Sequence, residues 1–180
     1  MKVRKHFILA ALLLICAVSI LLAVDYRSFK QSLLKGLKGV NVTAEDINPK
    51  MKTIGLTKEI LQTDVELQLR RSGIRVLSEK EWFETENAPQ LYINITGGIW
   101  EDALVYYNVA VEYKENVSLV RKQKTQCFAT IWEEGGTSSV GVNDALKSIR
   151  EGVQQVVDTF CNDYLAANPT QPSTNNQGEK

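Results

Sequence analysis

The hydrophobic pattern of the chain begins with one long apolar run. Residues 7–24 are apolar apart from Ser19 and the weakly polar Cys16, and three basic residues precede them. A signal peptide has an apolar region of about 7 to 15 residues, whereas a membrane span needs about 17 to 25. We therefore expect residues 1–24 to be an uncleaved signal anchor, with a cleaved signal peptide as the alternative.

The next segment, residues 25–39, is basic and amphipathic. Its apolar side chains fall on one face of a helix, and its basic side chains occupy the remaining positions. Such a segment is a linker or helix that lies on the membrane surface, or a first helix that packs on the following domain. The sequence leaves both alternatives open. The apolar positions are Phe29, Leu33, Leu34 and Leu37.

Residues 40–168 carry the pattern of one small domain. Residues 40–47 alternate between apolar and polar positions and predict a strand. Thr57 is a suitable N-cap for the helix that follows. Gly73 stands where helices commonly end in a left-handed conformation.

A second short strand is predicted at residues 74–77, before a brief helix. The spacing Ser78-x-x-Glu81 is that of a capping box, which satisfies two free backbone donors at a helix start. The brief helix carries Trp82 and Phe83.

Three longer strands follow. Residues 91–96 and 105–113 alternate, and the second of these strands can continue to residue 120 past a kink at Glu115-Asn116. Gly97-Gly98 predicts the turn between them. The last strand is residues 126–132, and we expect it to end at glycines, namely Gly135, Gly136 and Gly141.

A long helix closes the domain. Asn143 or Asp144 is placed to cap it, a helical apolar stripe runs to Tyr164, and Asn168-Pro169 ends it. The polar residues 169–180 predict a disordered tail. The pattern predicts an α+β fold after a hydrophobic N-terminal helix: a mixed, mostly antiparallel sheet of about five strands with two long helices on one face.

Composition excludes several classes of function. Beyond residue 24 the chain has 18 basic and 21 acidic residues, so it lacks the basic character of a nucleic-acid-binding domain. His6 is the only histidine and precedes the apolar run. The domain therefore lacks the histidine that a catalytic triad needs as a base and that a histidine-bearing zinc site needs as a ligand. We predict no catalytic residue, no metal site and no cofactor.

Two stretches of the domain resemble a family of uncharacterised bacterial envelope proteins. They are Gly55-Leu-Thr-Lys-Glu through Gly73-Ile-Arg-Val-Leu, and Phe160-Cys-Asn-Asp-Tyr-Leu-Ala-Ala-Asn-Pro169, with Pro89-Gln-Leu-Tyr-Ile-Asn between them. The resemblance spans roughly residues 53–169. In element order the domain also resembles the amino-terminal domain of TolB and LpoB-like domains, which implies two helices on a mixed sheet and contacts among envelope proteins.

Cys127 and Cys161 are candidates for a disulfide. Cys127 shares a strand face with Ala129 and Ile131, and Cys161 borders the apolar stripe of the last helix. A disulfide in an oxidising compartment would close a long loop, and two buried free thiols are the alternative.

A possible interaction surface lies on the sheet face that the helices leave bare. Tyr106 shares its strand face with Asn108 and Glu112, and Tyr92 belongs to the same group of aromatic residues. Aromatic side chains are enriched at binding hot spots. Two acidic pairs beside glycines, Glu101-Asp102 and Glu133-Glu134, are predicted to be solvated turn residues.

These features predict a non-enzymatic domain that binds another cell-envelope component. We expect a tether to the bacterial inner membrane through residues 7–24, with the domain in the periplasm. A soluble periplasmic protein after signal cleavage is the alternative location. The alternative functions are a carrier of a small apolar ligand or lipid and, third, an enzyme that uses carboxylates alone.

Overall fold

A computed structural model describes residues 26–169, except the side chains of residues 123 and 124. These residues form one mixed sheet of four strands together with five α-helices. The prediction of an α+β fold is confirmed, and the prediction of about five strands is wrong by one. In chain order the elements are α1 (residues 26–32), β1 (Asn41–Ala44), α2 (Pro49–Lys52), α3 (Lys58–Arg71), α4 (Glu79–Glu84), β2 (Gln90–Trp100), β3 (Leu104–Leu119), β4 (Lys122–Gly141) and α5 (Ala145–Ala167).

The strands lie in sequence order, β1-β2-β3-β4, with β1 parallel to β2 and both later pairs antiparallel. The predicted strand at residues 74–77 is instead a single bridge between Val76 and Val40. Val40 donates its N–H to Arg75 and accepts from Leu77. The ladder stops there because Ser78 already caps the next helix.

The turn predicted at Gly97-Gly98 and the strand end predicted at Gly135 and Gly136 are wrong, whereas the end predicted at Gly141 is confirmed. β2 continues through Gly97 and Gly98, and the chain reverses at residues 101–103, where Glu101 and Asp102 adopt φ of 48° and 50°. A Cβ on Gly97 would collide with the backbone of β3. Glycine is therefore present for close approach of two strands, not for a turn.

β4 likewise runs straight through Gly135 and Gly136 and ends only at Gly141. A Cβ on Gly135 would meet the carbonyl of Val109 on β3. The pairing of β3 with β4 extends over nearly the whole of both strands. It is interrupted by a register shift after Tyr113, close to the predicted kink.

The helix ends follow the capping signals in the sequence. The Thr57 hydroxyl accepts from the Ile60 N–H at 3.3 Å, and Gly73 ends α3 at φ +76°. At α4 both hydrogen bonds of the Ser78–Glu81 capping box are present. Asp144 is the N-cap residue of α5, without a side-chain hydrogen bond.

The core lies between the sheet and the two long helices. α3 packs on β1, α5 packs on β3 and β4, and the helices contact each other. Trp132 on β4 and Phe160 on α5 meet edge to face at 5.2 Å. Burying a large apolar side chain contributes about 1.5–3 kcal/mol. This layer holds the fold together and leaves the opposite sheet face uncovered by α3 and α5.

Within residues 26–169, no helix has the length and apolar character that crossing a membrane requires. The predicted anchor, residues 7–24, and residues 170–180 of the predicted tail lie outside the described residues.

Candidate functional site

The bare side of the sheet brings together all four residues of the predicted interaction surface. Tyr92 lies opposite Glu112 across β2 and β3, and Gly98 lies opposite Tyr106. Alternate residues of the same strands are buried against the helices. We call this side the polar–aromatic face. Its members are Tyr92, Asn94, Thr96, Tyr106, Asn108, Glu112, Lys114 and Thr130.

One end of the polar–aromatic face is a connected polar network. Glu112 accepts from the Thr130 hydroxyl at 2.8 Å and from Lys114 Nζ at 3.1 Å. Lys114 Nζ also lies 3.9 Å from the centroid of the Tyr92 ring. A cation over an aromatic face is attracted by about 0.5–1 kcal/mol at an exposed site. These contacts hold the side chains in place before any partner arrives.

The other end of the face is more exposed. The Tyr106 ring covers Gly98, where a Cβ would meet the phenol oxygen at 2.6 Å, and 53% of Tyr106 remains accessible. Asn108 donates to the Thr137 hydroxyl at 3.1 Å. A rigid aromatic ring beside fixed amide and hydroxyl groups is suited to contact a protein surface.

Helix α1 is attached to the rest of the domain through Lys30. Only 7% of Lys30 is exposed, and its Nζ donates to the Glu133 carbonyl at 2.6 Å and to Glu134 Oε1 at 2.7 Å. It also lies 4.7 Å from the Trp132 ring centroid. A buried ammonium group needs such partners, because desolvation of an unpaired charge is costly.

Asp163 on α5 is the second buried charge of this contact. It is 2% exposed and accepts from Trp132 Nε1 at 3.0 Å and from Gln31 Nε2 at 3.0 Å. The Arg27 guanidinium lies 3.5 Å away. We call Lys30, Gln31, Trp132, Glu134 and Asp163 the docking cluster. It joins α1 to both β4 and α5.

The end of α5 fixes the segment after α1. Asn168 accepts from the Gly36 N–H at 2.7 Å and donates to the Leu34 carbonyl at 2.9 Å. Tyr164 donates its hydroxyl to the Leu37 carbonyl at 3.1 Å, and Leu34 is completely buried. Of the two alternatives for residues 25–39, the geometry therefore favours a first helix that packs on the domain.

Two further grooves lie at the surface. Trp82, Phe83 and Phe128 line an apolar groove of about 360 Å³ between α4 and the β3–β4 hairpin. Trp82 Nε1 is buried there without a hydrogen-bond partner among the described residues. A groove of about 480 Å³ between β4 and α5 is lined by hydroxyl groups, glycines and the carboxylates of Glu134 and Glu151.

The acidic pairs differ from each other. Glu101-Asp102 forms a turn, as predicted. The prediction for Glu133-Glu134 is wrong, because both residues lie within β4, and Glu134 is paired with Lys30. Among residues 26–169, no three histidine, cysteine or acidic side chains are grouped as metal ligands are.

The predicted disulfide is not formed: Cys127 is a free, exposed thiol and Cys161 a free, buried one. Since β4 continues to Gly141, shortly before the start of α5, Cys127 lies 14 residues before the end of the strand, about 46 Å. Cys161 lies 16 helix residues from that start, only about 24 Å.

Neither the known protein-family models nor the curated proteins match this chain. The resemblance to envelope proteins over residues 53–169, and the likeness to TolB in element order, therefore stay predictions. The functional interpretation depends on the geometry of the described residues.

Sequence reasoning missed the docking cluster. Lys30 lies four residues before Leu34, so helical spacing does place it on the buried side of α1. A lysine at such a position normally extends to solvent. Its carboxylate partner is 104 residues away and carries no local signal.

Proposed function

We propose that this protein is a non-enzymatic, membrane-tethered domain that binds another cell-envelope component through its polar–aromatic face. One observation carries the proposal. One side of the sheet is covered by α3 and α5, while the other presents preorganised tyrosine, asparagine and glutamate side chains over β2 and β3.

The chemistry of the face supports protein binding. Tyrosine offers a large rigid contact area and a hydrogen-bonding hydroxyl at little entropic cost. Tyr26, Asn108 and Glu112 also line one shallow depression of about 370 Å³, which a side chain of a partner can enter. The proposed partner is an envelope protein with complementary donors and an apolar side chain.

The proposed location is the bacterial inner membrane, with the domain in the periplasm. The eighteen apolar residues 7–24 after a short basic segment support this location. A soluble periplasmic domain after signal cleavage is the alternative and would use the same face.

The alternative function, a carrier that holds a small apolar ligand or lipid between sheet and helices, needs a cavity in that layer. Trp132, Tyr113 and Phe160 are among its largest fully buried side chains and pack against one another there. A carboxylate-only enzyme based on Glu133 and Glu134 needs a free acid or base, and Glu134 is paired with Lys30.

Site-specific photocrosslinking tests the proposal. The photoreactive amino acid benzoylphenylalanine replaces Tyr106 on the polar–aromatic face or Leu67, an exposed residue of α3, in the full-length chain in producing cells. We expect a discrete protein adduct from position 106 and none from position 67. Adding Asn108→Ala and Glu112→Ala should remove the adduct.

Two results would contradict the proposal. Equal adducts from positions 106 and 67 would indicate random collision, and an adduct unaffected by changes at Asn108 and Glu112 would indicate a different surface. Circular dichroism of each variant checks that the domain remains folded.

A further inference from the structure

The short helix α1 has two unlike sides. Its domain side carries Lys30 and Gln31 of the docking cluster, followed by the buried Leu34. Its outer side carries Phe29, which is 60% exposed. Tyr26, which is 63% exposed, lies at the edge between the two sides, with Lys30 Nζ 5.9 Å from its ring centroid. Residues three apart are neighbours on a helix, so the two rings form one aromatic patch.

The docking cluster keeps the Phe29 ring pointed outward. Rotating α1 to bury Phe29 would withdraw Lys30 from Glu134 and Gln31 from Asp163. Removing a partner from a buried charged group typically costs more than a single exposed ring can return by burial. Phe29 is therefore presented outward by contacts on the opposite side of the same helix.

The position of the patch in the chain identifies its surroundings. Tyr26 comes two residues after the apolar run 7–24 ends, and aromatic side chains concentrate where membrane segments leave the lipid. Residues 26–38 contain four basic and no acidic side chains. Of these, Lys30 and Arg27 pair with Glu134 and Asp163 of the domain, whereas Lys35 and Lys38 are exposed. Exposed basic residues beside a membrane segment attract anionic headgroups.

We propose that the outer side of α1 lies on the membrane surface, with Phe29 and the exposed part of Tyr26 among the lipid headgroups and with Lys35 and Lys38 facing anionic lipid phosphates. This proposal rests on the proposed function in one respect, since it takes residues 7–24 as the membrane anchor.

The orientation of the domain follows from this contact. α1 is joined to β4 and α5 by the docking cluster, and Asn168 and Tyr164 hold the next residues. The domain is thus held at a set angle to the bilayer. Tyr26 lines the same depression as Asn108 and Glu112, so the polar–aromatic face borders the lipid surface. A partner bound there sits close to the membrane.

Fluorescence quenching in vesicles tests the contact. The full-length chain, with a fluorescent coumarin amino acid at position 29 or 67, is inserted into vesicles of phosphatidylethanolamine and phosphatidylglycerol. A second set of vesicles contains lipid with a nitroxide on the headgroup. Leu67 is the control because it is exposed on α3, which packs at the β1 side of the sheet, away from β4. We expect the nitroxide to reduce emission at position 29 and to leave emission at position 67 unchanged.

Flotation of the same vesicles after an alkaline wash separates the two proposals. A chain that floats without quenching at position 29, or with equal quenching at both positions, overturns the surface contact and leaves the tether standing. A chain that does not float overturns the tether, and the surface contact with it.

Discussion

Glu81 is an acidic residue whose ionisation is changed by the local structure. Its carboxylate accepts from the Ser78 N–H at 2.8 Å, from the Ser78 hydroxyl at 2.8 Å and from the Arg75 guanidinium. These hydrogen bonds, the backbone one foremost, lower the pKa of Glu81 from 4.5 to about 2. Charged Glu81 is therefore favoured in the folded state, as expected for the acidic member of a capping box.

The lowered pKa of Glu81 predicts a pH window for stability. Because the folded pKa is below the unfolded value, the stabilisation is complete above pH 4.5 and is lost as pH falls towards 2. We expect Glu81→Gln to unfold at lower urea than wild type at pH 7, and the difference to shrink through this window. Urea unfolding followed by circular dichroism measures it.

Glu79→Gln provides the matched control for the Glu81 experiment. Glu79 is another acidic residue of the first turn of α4. Both variants remove a charge that interacts with the helix dipole, whereas only Glu81→Gln changes the capping box. If the stability difference of Glu81→Gln were the same at pH 7 and pH 2, the capping carboxylate would not be the cause.

At the scale of elements, the attachment of α1 depends on Asp163. Asp163→Ala leaves the buried Trp132 Nε1 and the Gln31 amide without their acceptor. A buried donor without a partner costs about 1–3 kcal/mol, so we expect a loss of that order in the free energy of unfolding. Chemical denaturation followed by tryptophan fluorescence and far-ultraviolet circular dichroism measures the loss.

Asn162→Ala is the control for the α1 attachment, because Asn162 is the exposed neighbour of Asp163 on α5. We expect this control to change stability by less than about 0.5 kcal/mol. Hydrogen exchange should show faster exchange in residues 26–34 of Asp163→Ala only. Equal losses in both variants would mean that side-chain truncation on α5 in general, and not the docking cluster, sets the effect.

Helix ends could be predicted from sequence and strand ends could not. Thr57, Ser78 and Gly73 act through neighbouring backbone groups, so their signals are local and the structure confirms them. Gly97 and Gly135 also have a structural role, but it is set by β3, a different strand. A glycine that permits a turn and one that permits close strand approach look the same in sequence.

At the scale of the whole molecule, the sequence pattern likewise predicts only those parts of the candidate site that depend on local signals. Alternation along β2 and β3 is enough to place Tyr92, Tyr106 and Glu112 on one side of the sheet. The docking cluster joins α1, β4 and α5, and Trp132 is 31 residues from Asp163. Which side chains meet over such separations depends on the lengths and the register of the strands. The sequence pattern predicted strands that are too short.

The length of β4 also decides the chemistry of the cysteines. Cys127 is exposed near the β3–β4 turn, whereas Cys161 is buried, and burial raises the pKa of its thiol. The thiolate is the reactive form, so the two residues should differ strongly in alkylation.

We expect maleimide at neutral pH to modify Cys127 of the native protein quickly and Cys161 only after denaturant is added. Peptide mapping by mass spectrometry identifies each site, with Cys127→Ser as the control that removes the fast reaction. A linked Cys127–Cys161 peptide without reductant would contradict the separation, because it requires β4 to end near Trp132, about 30 Å short of Gly141.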